Sequence, residues 1–348
     1  VFQNLLLLTL SLGLLTLGAE ALVRGAVVLA SRLGVSSFFI GLTIVGFGTS
    51  TPELAAGISA AVNDKPDINL GNVIGSNILN VALILGVASL IRPTPVKTHL
   101  VKADVLVVIA VSALCWVLVF TAQQISRVEG VFLLAILVVY ILRGYAVGKR
   151  EGVTVAEVVD TVAHSAAEPA PESKPQRTMQ RATWFNVLLI LVGLALLTFA
   201  SDILIGSATG IARSLGVSEL AIALTIVAGG TSTPELATSV MAAIRKQSDI
   251  AVGNILGSNI FNICGILGLT SLINPPTVQQ QILWLDAPVM VALAIALLPI
   301  LFSGSRISRA EGAALVLVSF CYIATLFTLA PKWFSLAGAP SELTVEQD

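Results

Sequence analysis

Charge is scarce in this sequence: only 11% of its residues are Asp, Glu, Lys or Arg, against 56% hydrophobic, and mean hydropathy is +0.94. A water-soluble chain of 348 residues could not bury that much apolar surface, so a soluble globular protein is excluded. Neither sign dominates what charge there is, and a net −1 offers no basic surface to nucleic acid. Cysteine is almost absent. Cys115, Cys264 and Cys321 each lie within an apolar run, which speaks against a disulfide framework or a zinc site and leaves the redox compartment open. The two histidines, His99 and His164, fall in polar stretches and read as solvated groups rather than ligands. Polar alternation is missing from the apolar runs as well, which excludes the strands of a transmembrane barrel.

Long apolar runs are what the chain does have. A helix crosses the hydrocarbon core with about 20 residues, and ten segments meet that length: 5–30, 38–62, 68–91, 101–121, 128–147, 184–212, 220–244, 250–273, 282–302 and 310–329. The first is read as a helix of the mature protein, because it lacks a basic leader, is too long for a signal core and has a counterpart later in the chain. The only long polar stretch, 148–182, carries the Pro- and Glu-rich core AAEPAPESKPQR. It reads as a flexible linker with room for a short helix over 154–162. Residues 331–348 form a polar tail.

An internal repeat organises these spans. Residues 41–86 align without a gap to 223–268, with 26 identities in 46 positions at an offset of 182. The same offset relates Asp104 to Asp286 and ISRVEG at Ile125 to ISRAEG at Ile307. The chain is therefore a first half, 1–147, the linker, and a second half, 183–330, of five spans each. Five is odd, so the second half enters from the opposite face. The expected fold is an all-α polytopic membrane protein of ten helices in two inverted five-helix repeats. Placing both termini outside puts 14 basic residues in inner loops and linker and 4 outside, which orients the linker to the cytoplasm.

Chemistry concentrates where GTSTPEL interrupts an apolar span twice, at 48–54 and 230–236. Pro52 and Pro234 lack the amide hydrogen that continues a helix, so spans 2 and 7 should break and restart there. Ser50 or Thr51, and Ser232 or Thr233, suit the cap of the restarted half. The break should leave carbonyls of Gly46 and Thr49, and of Ala228 and Thr231, without helical partners, free to act as hard oxygen ligands. Beside each break stands an acid, Glu53 or Glu235, at mid-span. An ionised group there costs about 2.5–3.5 kcal/mol on insertion scales, which marks a functional site. Two like charges meeting at a pseudo-two-fold axis are relieved by a proton or a divalent cation, and an all-oxygen set suits Ca2+.

Spans 3 and 8 add GNVIGSNILN and GNILGSNIFN. Ser76 and Asn80, and likewise Ser258 and Asn262, are four apart and share a helix face. Asn72, Asn77, Asn254 and Asn259 lie on other faces, where interhelical hydrogen bonds are at least as good a reading as ligation. Gly71, Gly75, Gly253 and Gly257 have the spacing of helix packing. Glu20 is expected to bridge Arg24 one turn on, while its counterpart Asp202 has no such partner. Asp104 and Asp286, near span ends, are read as structural.

The paired GTSTPEL and GSNILN or GSNIFN blocks resemble the alpha-repeats of the calcium/cation antiporter superfamily, most of all its prokaryotic sodium/calcium exchangers. The resemblance spans both halves, about 300 residues. It implies that Glu53 and Glu235 ligate Ca2+ with the Thr49 and Thr231 carbonyls. It also implies Na+ sites at Gly46, Ser50, Ser76, Ala228, Ser232 and Ser258, with Asn80 and Asn262 nearby. Some members, potassium-dependent exchangers among them, carry Asp where this chain has Asn262, so K+ co-transport is not expected. The implied activity is exchange of Ca2+ for Na+ by alternating access, electrogenic and exporting Ca2+, with no cofactor and no protein partner inferred. An H+/Ca2+ antiporter would use the same two glutamates, and the hydroxyls beside them favour Na+. An intramembrane aspartyl protease would need aspartates, and a channel would not need symmetric half-helices. The chain is expected to act as no enzyme.

Overall fold

The computed structural model describes residues 2–64, 66–95, 98–122, 124–165, 176–215, 228–302 and 306–328. Helix α1 (Phe2–Leu33) ends on Gly34, whose φ of +61° only a residue without a Cβ adopts easily. Ser36 then caps α2 (Ser37–Thr49), accepting the Phe39 amide at 3.2 Å. Helix α3 (Thr51–Val62) follows at a bend of 43°. Helix α4 runs from Pro66–Leu79 through a π turn at Asn80–Ile84 into Leu85–Ile91. After the strand β1 (Thr94–Pro95) come α5 (Thr98–Ala122) and α6 (Arg127–Ser165).

The second half repeats this order. Helix α7 (Gln176–Ser214) matches α1, the short α8 (Ala228–Thr231) and α9 (Thr233–Ile244) match the end of α2 and α3, and α10 matches α4. Helix α10 runs Ser248–Ile260, then a π turn at Phe261–Leu267, then Gly268–Ile273. Helix α11 comprises a π turn at Ile282–Asp286 and Ala287–Phe302, and β2 (Arg306–Ile307) precedes α12 (Arg309–Thr328). Eight helices among the described residues are long and apolar enough to span a bilayer, and the bent pair α2–α3 makes a ninth. The start of the expected seventh span, 220–227, lies outside the described residues. The expected linker is helical at both ends, over 148–165 as an extension of α6 and over 176–182 at the start of α7. Its Pro-rich middle, 166–175, and the tail 331–348 lie outside the described residues.

Loop contacts test the inverted topology. Strand β1 pairs antiparallel with β2, Thr94 opposite Ile307, which puts the loop after span 3 beside the loop after span 9. On the other side Gln124 bridges Thr277 and Asn274 Nδ2 donates to Asp64 Oδ1 at 3.1 Å. That side gathers the loops after spans 2, 4 and 8. The Ser36 amide donates to the Gly148 carbonyl at 3.2 Å, placing the loop after span 1 with the linker. Every one of these pairings joins loops that two five-span halves of opposite entry put on the same side.

Two apolar cores hold the helices. One is built by α4, α5, α6, α10 and α11 around Ile74, Ile78, Leu85, Ile260 and Ile263. The other fills the junction of α1, α2, α7 and α9 around Leu22, Ile40, Ile190 and Leu197. Glycine sets the closest approaches. A Cβ on Gly18 would lie 3.0 Å from the Gly193 carbonyl, and one on Gly257 would strike the Leu42 backbone. The packing role expected for Gly253 and Gly257 is thus observed against α2. At Gly71 and Gly75 no atom beyond the helix's own neighbouring backbone comes within 4 Å of that position among the described residues, so the close packing expected of them is not observed.

Candidate functional site

Both breaks fall one residue before the threonine–proline pair. Ser50 has φ −81° and ψ 11°, Ser232 φ −84° and ψ 9°, outside helical geometry, and α3 and α9 restart immediately after them with proline in the first turn. Neither serine hydroxyl caps its helix, contrary to expectation. Ser50 Oγ instead donates to Glu235 Oε1 at 2.8 Å, and Ser232 Oγ to Glu53 Oε1 at 3.0 Å. A charge-assisted bond outcompetes a neutral cap. Each repeat thereby supplies the hydroxyl that braces the other repeat's acid.

The carbonyl of Gly46 also departs from expectation. It accepts the Ser50 amide at 3.2 Å and Ser258 Oγ at 3.0 Å, so the break does not strand it. The reason is proximity: a Cβ at Gly46 would lie 3.0 Å from the Ser258 amide nitrogen, so α2 and α10 nearly touch there. Thr49 Oγ1 reaches Asn254 Oδ1 at 3.1 Å, and Asn254 Nδ2 in turn donates to Ser239 Oγ at 2.9 Å. Ser76 Oγ stands 3.2 Å from Ser232 Oγ, a hydroxyl pair in which Ser232, its proton turned to Glu53, is left to accept, and this contact ties α4 to the second break. Ala228 and Thr231 bound the four-residue helix α8 that leads into Ser232.

Glu53, Glu235, Ser50, Ser76, Ser232, Ser258, Asn80 and Asn262 are all buried, none more than 3% exposed. Within this set four oxygens accept no hydrogen bond from any described residue: Glu53 Oε2, Glu235 Oε2, Asn80 Oδ1 and Asn262 Oδ1. Buried polar atoms normally find a partner, so four orphans in two repeat-related pairs form a pattern. All four are hard oxygens, and none is a donor. Among the described residues no group of three His, Cys, Asp or Glu side chains converges, so any cation here would be held by two carboxylates and neutral oxygens.

Many of the remaining polar residues have structural partners, although Asn72 Nδ2 and Thr238 Oγ1 are buried and meet no hydrogen-bond partner among the described residues. Asn77 and Asn259 make interhelical hydrogen bonds, as their faces led one to expect. Glu20 pairs with Arg24 and also with Arg245, whose Nε donates to it at 2.8 Å, linking α1 to the end of α9. Asp104 accepts from the Tyr140 hydroxyl at 2.9 Å, and Asp286 from that of Tyr322 at 3.0 Å. Sequence reading passed over both tyrosines, although each lies 36 residues after its aspartate and they differ by the repeat offset of 182. It also passed over Ser239, whose counterpart in the first repeat is a glycine, so no repeated signal marked it.

The family profile described as sodium/calcium exchanger protein matches residues 3–145 and 185–328. The sodium/calcium exchanger MaX1 of Methanosarcina acetivorans is 32% identical over 350 residues, covering 93% of this chain and 98% of the relative. The inner membrane protein YrbG of Escherichia coli K12 is 32% identical over 326 residues, covering 93% and 97%. Among solved structures, the sodium-calcium exchanger NCX_Mj soaked without Na+ or Ca2+ superposes with a TM-score of 0.78 at 28% identity, covering 94% of this chain and 99% of the other.

Proposed function

The chain belongs to the sodium/calcium exchanger protein family, and from that membership and its geometry we propose how it exchanges Ca2+ for Na+ across the membrane. It is an integral multi-pass transporter and not an enzyme. The observation that carries the site is the set of four buried oxygens without donors, on Glu53, Glu235, Asn80 and Asn262. Two carboxylates neutralise one Ca2+, and their neutral neighbours complete an oxygen shell.

The hydroxyls explain how Na+ enters the same place. Ser50 and Ser232 each hold one oxygen of an acid and leave its other oxygen for a cation. A hydroxyl that turns its proton to a carboxylate presents its lone pairs elsewhere. Ser76 and Ser258, with the Thr49 and Thr231 carbonyls and the backbone at Ala228, extend the oxygen set beyond one ion, and the Gly46 carbonyl joins it only if Ser258 Oγ turns its proton away. Several Na+ and one Ca2+ then compete for overlapping ligands, so that one ion leaves as the other binds. The inverted repeat supplies the access change, since two halves of opposite entry can exchange conformations around a fixed midpoint.

The distribution of basic residues supports both termini outside and the linker in the cytoplasm, in the plasma membrane or the inner membrane of a bacterium. Ca2+ export follows from an inward Na+ gradient. With Asn at 80 and 262 no third carboxylate balances the load, so a Na+-loaded site holding more than two ions carries net charge. Each charge moved is worth about 2.3 kcal/mol per 100 mV. Calcium flux in proteoliposomes under separately imposed gradients tests this. A Na+ gradient drives Ca2+ flux, an inside-negative potential accelerates Ca2+ efflux, and replacing K+ by an inert cation at clamped voltage changes nothing. Flux driven by a proton gradient alone would overturn Na+ coupling, and a K+ requirement would overturn the reading of Asn262.

A further inference from the structure

Asn80 and Asn262 can serve a cation only if their amides turn the oxygen, and not the NH2 group, toward it. An Asn side chain is nearly symmetric in shape, and its partners alone decide which end faces where. In this molecule those partners come from the opposite repeat. Asn262 Nδ2 donates to Asn77 Oδ1 at 3.1 Å, and Asn80 Nδ2 donates to Asn259 Oδ1 at 3.0 Å. Each bond consumes the NH2 end and leaves the oxygen without a donor.

The holding residues are themselves fixed by groups that cannot turn. Asn77 Nδ2 donates to the main-chain carbonyl of Asn259 at 3.2 Å, and Asn259 Nδ2 to the main-chain carbonyl of Asn77 at 3.5 Å. A main-chain carbonyl only accepts. Rotating Asn77 by half a turn would set its oxygen against that carbonyl and its NH2 against the NH2 of Asn262. All four side chains are at most 2% exposed, so solvent cannot compensate either clash. The sense of the network therefore runs from backbone to Asn77 and Asn259, and from them to Asn262 and Asn80.

We propose that Asn77 and Asn259 are positioning residues, which lock the amides of Asn262 and Asn80 with their oxygens toward the cation and so set cation affinity without touching it. The inference rests on the reading that Asn80 and Asn262 line the ion site. It predicts a coupling that a merely structural role does not. A carboxylate has an acceptor at both ends, so an aspartate at 262 needs no orienting.

The test is equilibrium 45Ca2+ binding to the purified full-length protein in nanodiscs, checked for a single size-exclusion peak. Asn77→Leu raises Kd for Ca2+ on the order of tenfold, the scale of one hydrogen bond to a charged group. In an Asn262→Asp background the same substitution leaves Kd unchanged or lowers it. The repeat-related cycle, Asn259→Leu with and without Asn80→Asp, gives the same pattern and stands in should a position 77 variant fail to fold. An equal loss from Asn77→Leu in both backgrounds overturns the positioning role. Should Asn262→Leu itself leave Kd unchanged, the ion-site reading falls instead.

Discussion

Glu53 and Glu235 are where a single side chain decides the most. Each is at most 1% exposed, each has one oxygen held by a serine of the other repeat, and each has a second oxygen that no described donor reaches. A charge placed at mid-span against its insertion cost marks a candidate functional site. Glutamine preserves the volume and still accepts the serine hydroxyl, but carries no charge for a hard cation. Glu53→Gln and Glu235→Gln are therefore each expected to abolish Ca2+ exchange while the protein stays folded and inserted, with surface expression and flux measured in parallel. Near-normal exchange by either variant would remove that glutamate from the site. The two effects should not add, since losing one of two neutralising charges already disables the pair.

At the scale of the element, the repeat builds its helix starts and stops from the same residues twice. Ser126 and Glu129 open α6 with a reciprocal box, Ser126 Oγ accepting the Glu129 amide and Glu129 accepting the Ser126 amide at 2.7 Å. Ser308 and Glu311 open α12 identically. Beside them Arg127 donates to the Leu272 carbonyl and Arg309 to the Leu90 carbonyl, so each half caps the exposed C-terminal carbonyls of the other half's third helix. Ser126→Ala and Ser308→Ala are each expected to cost about 1 kcal/mol of stability, read by denaturant titration in detergent. Lying on opposite sides of the membrane, they should add in the double variant. A variant with no loss would mean that the glutamate's bond to the backbone amide at that position is enough to hold the helix start.

Across the whole molecule the two halves are interlocked, not stacked side by side. The first core draws on α4 and α5 of one half and α10 and α11 of the other, and the second joins α1 and α2 to α7 and α9. The halves are therefore held by packing, and the covalent link between them is a matter of reach. Deleting 166–175, between the helical extensions of α6 and α7, should leave Na+-driven Ca2+ exchange unchanged so long as the remaining chain spans the gap. Loss of exchange in a deletion that inserts and expresses normally would reveal a role for this segment beyond joining.

What the sequence by itself determined is whatever depends on period, composition and repetition. The membrane class followed from apolar excess, the inverted repeat from an offset of 182 across five spans, and the breaks from proline beside a mid-span acid. Most ion-site candidates were legible for the same reason: each occurs twice, and drift between copies does not preserve chance. The structure alone decided who faces whom. Nothing local to Ser50 says that its hydroxyl abandons its own helix for Glu235, 185 residues away, because a charged partner appears only once the halves are packed. Nothing local to Gly46 says that its carbonyl is taken by Ser258, which requires the glycine-wide contact between α2 and α10. The π turns at Asn80 and Phe261 have no proline or glycine pattern to announce them. The sense of the four amides was equally hidden, since an asparagine carries donor and acceptor alike and only its partner across the repeat interface breaks the tie.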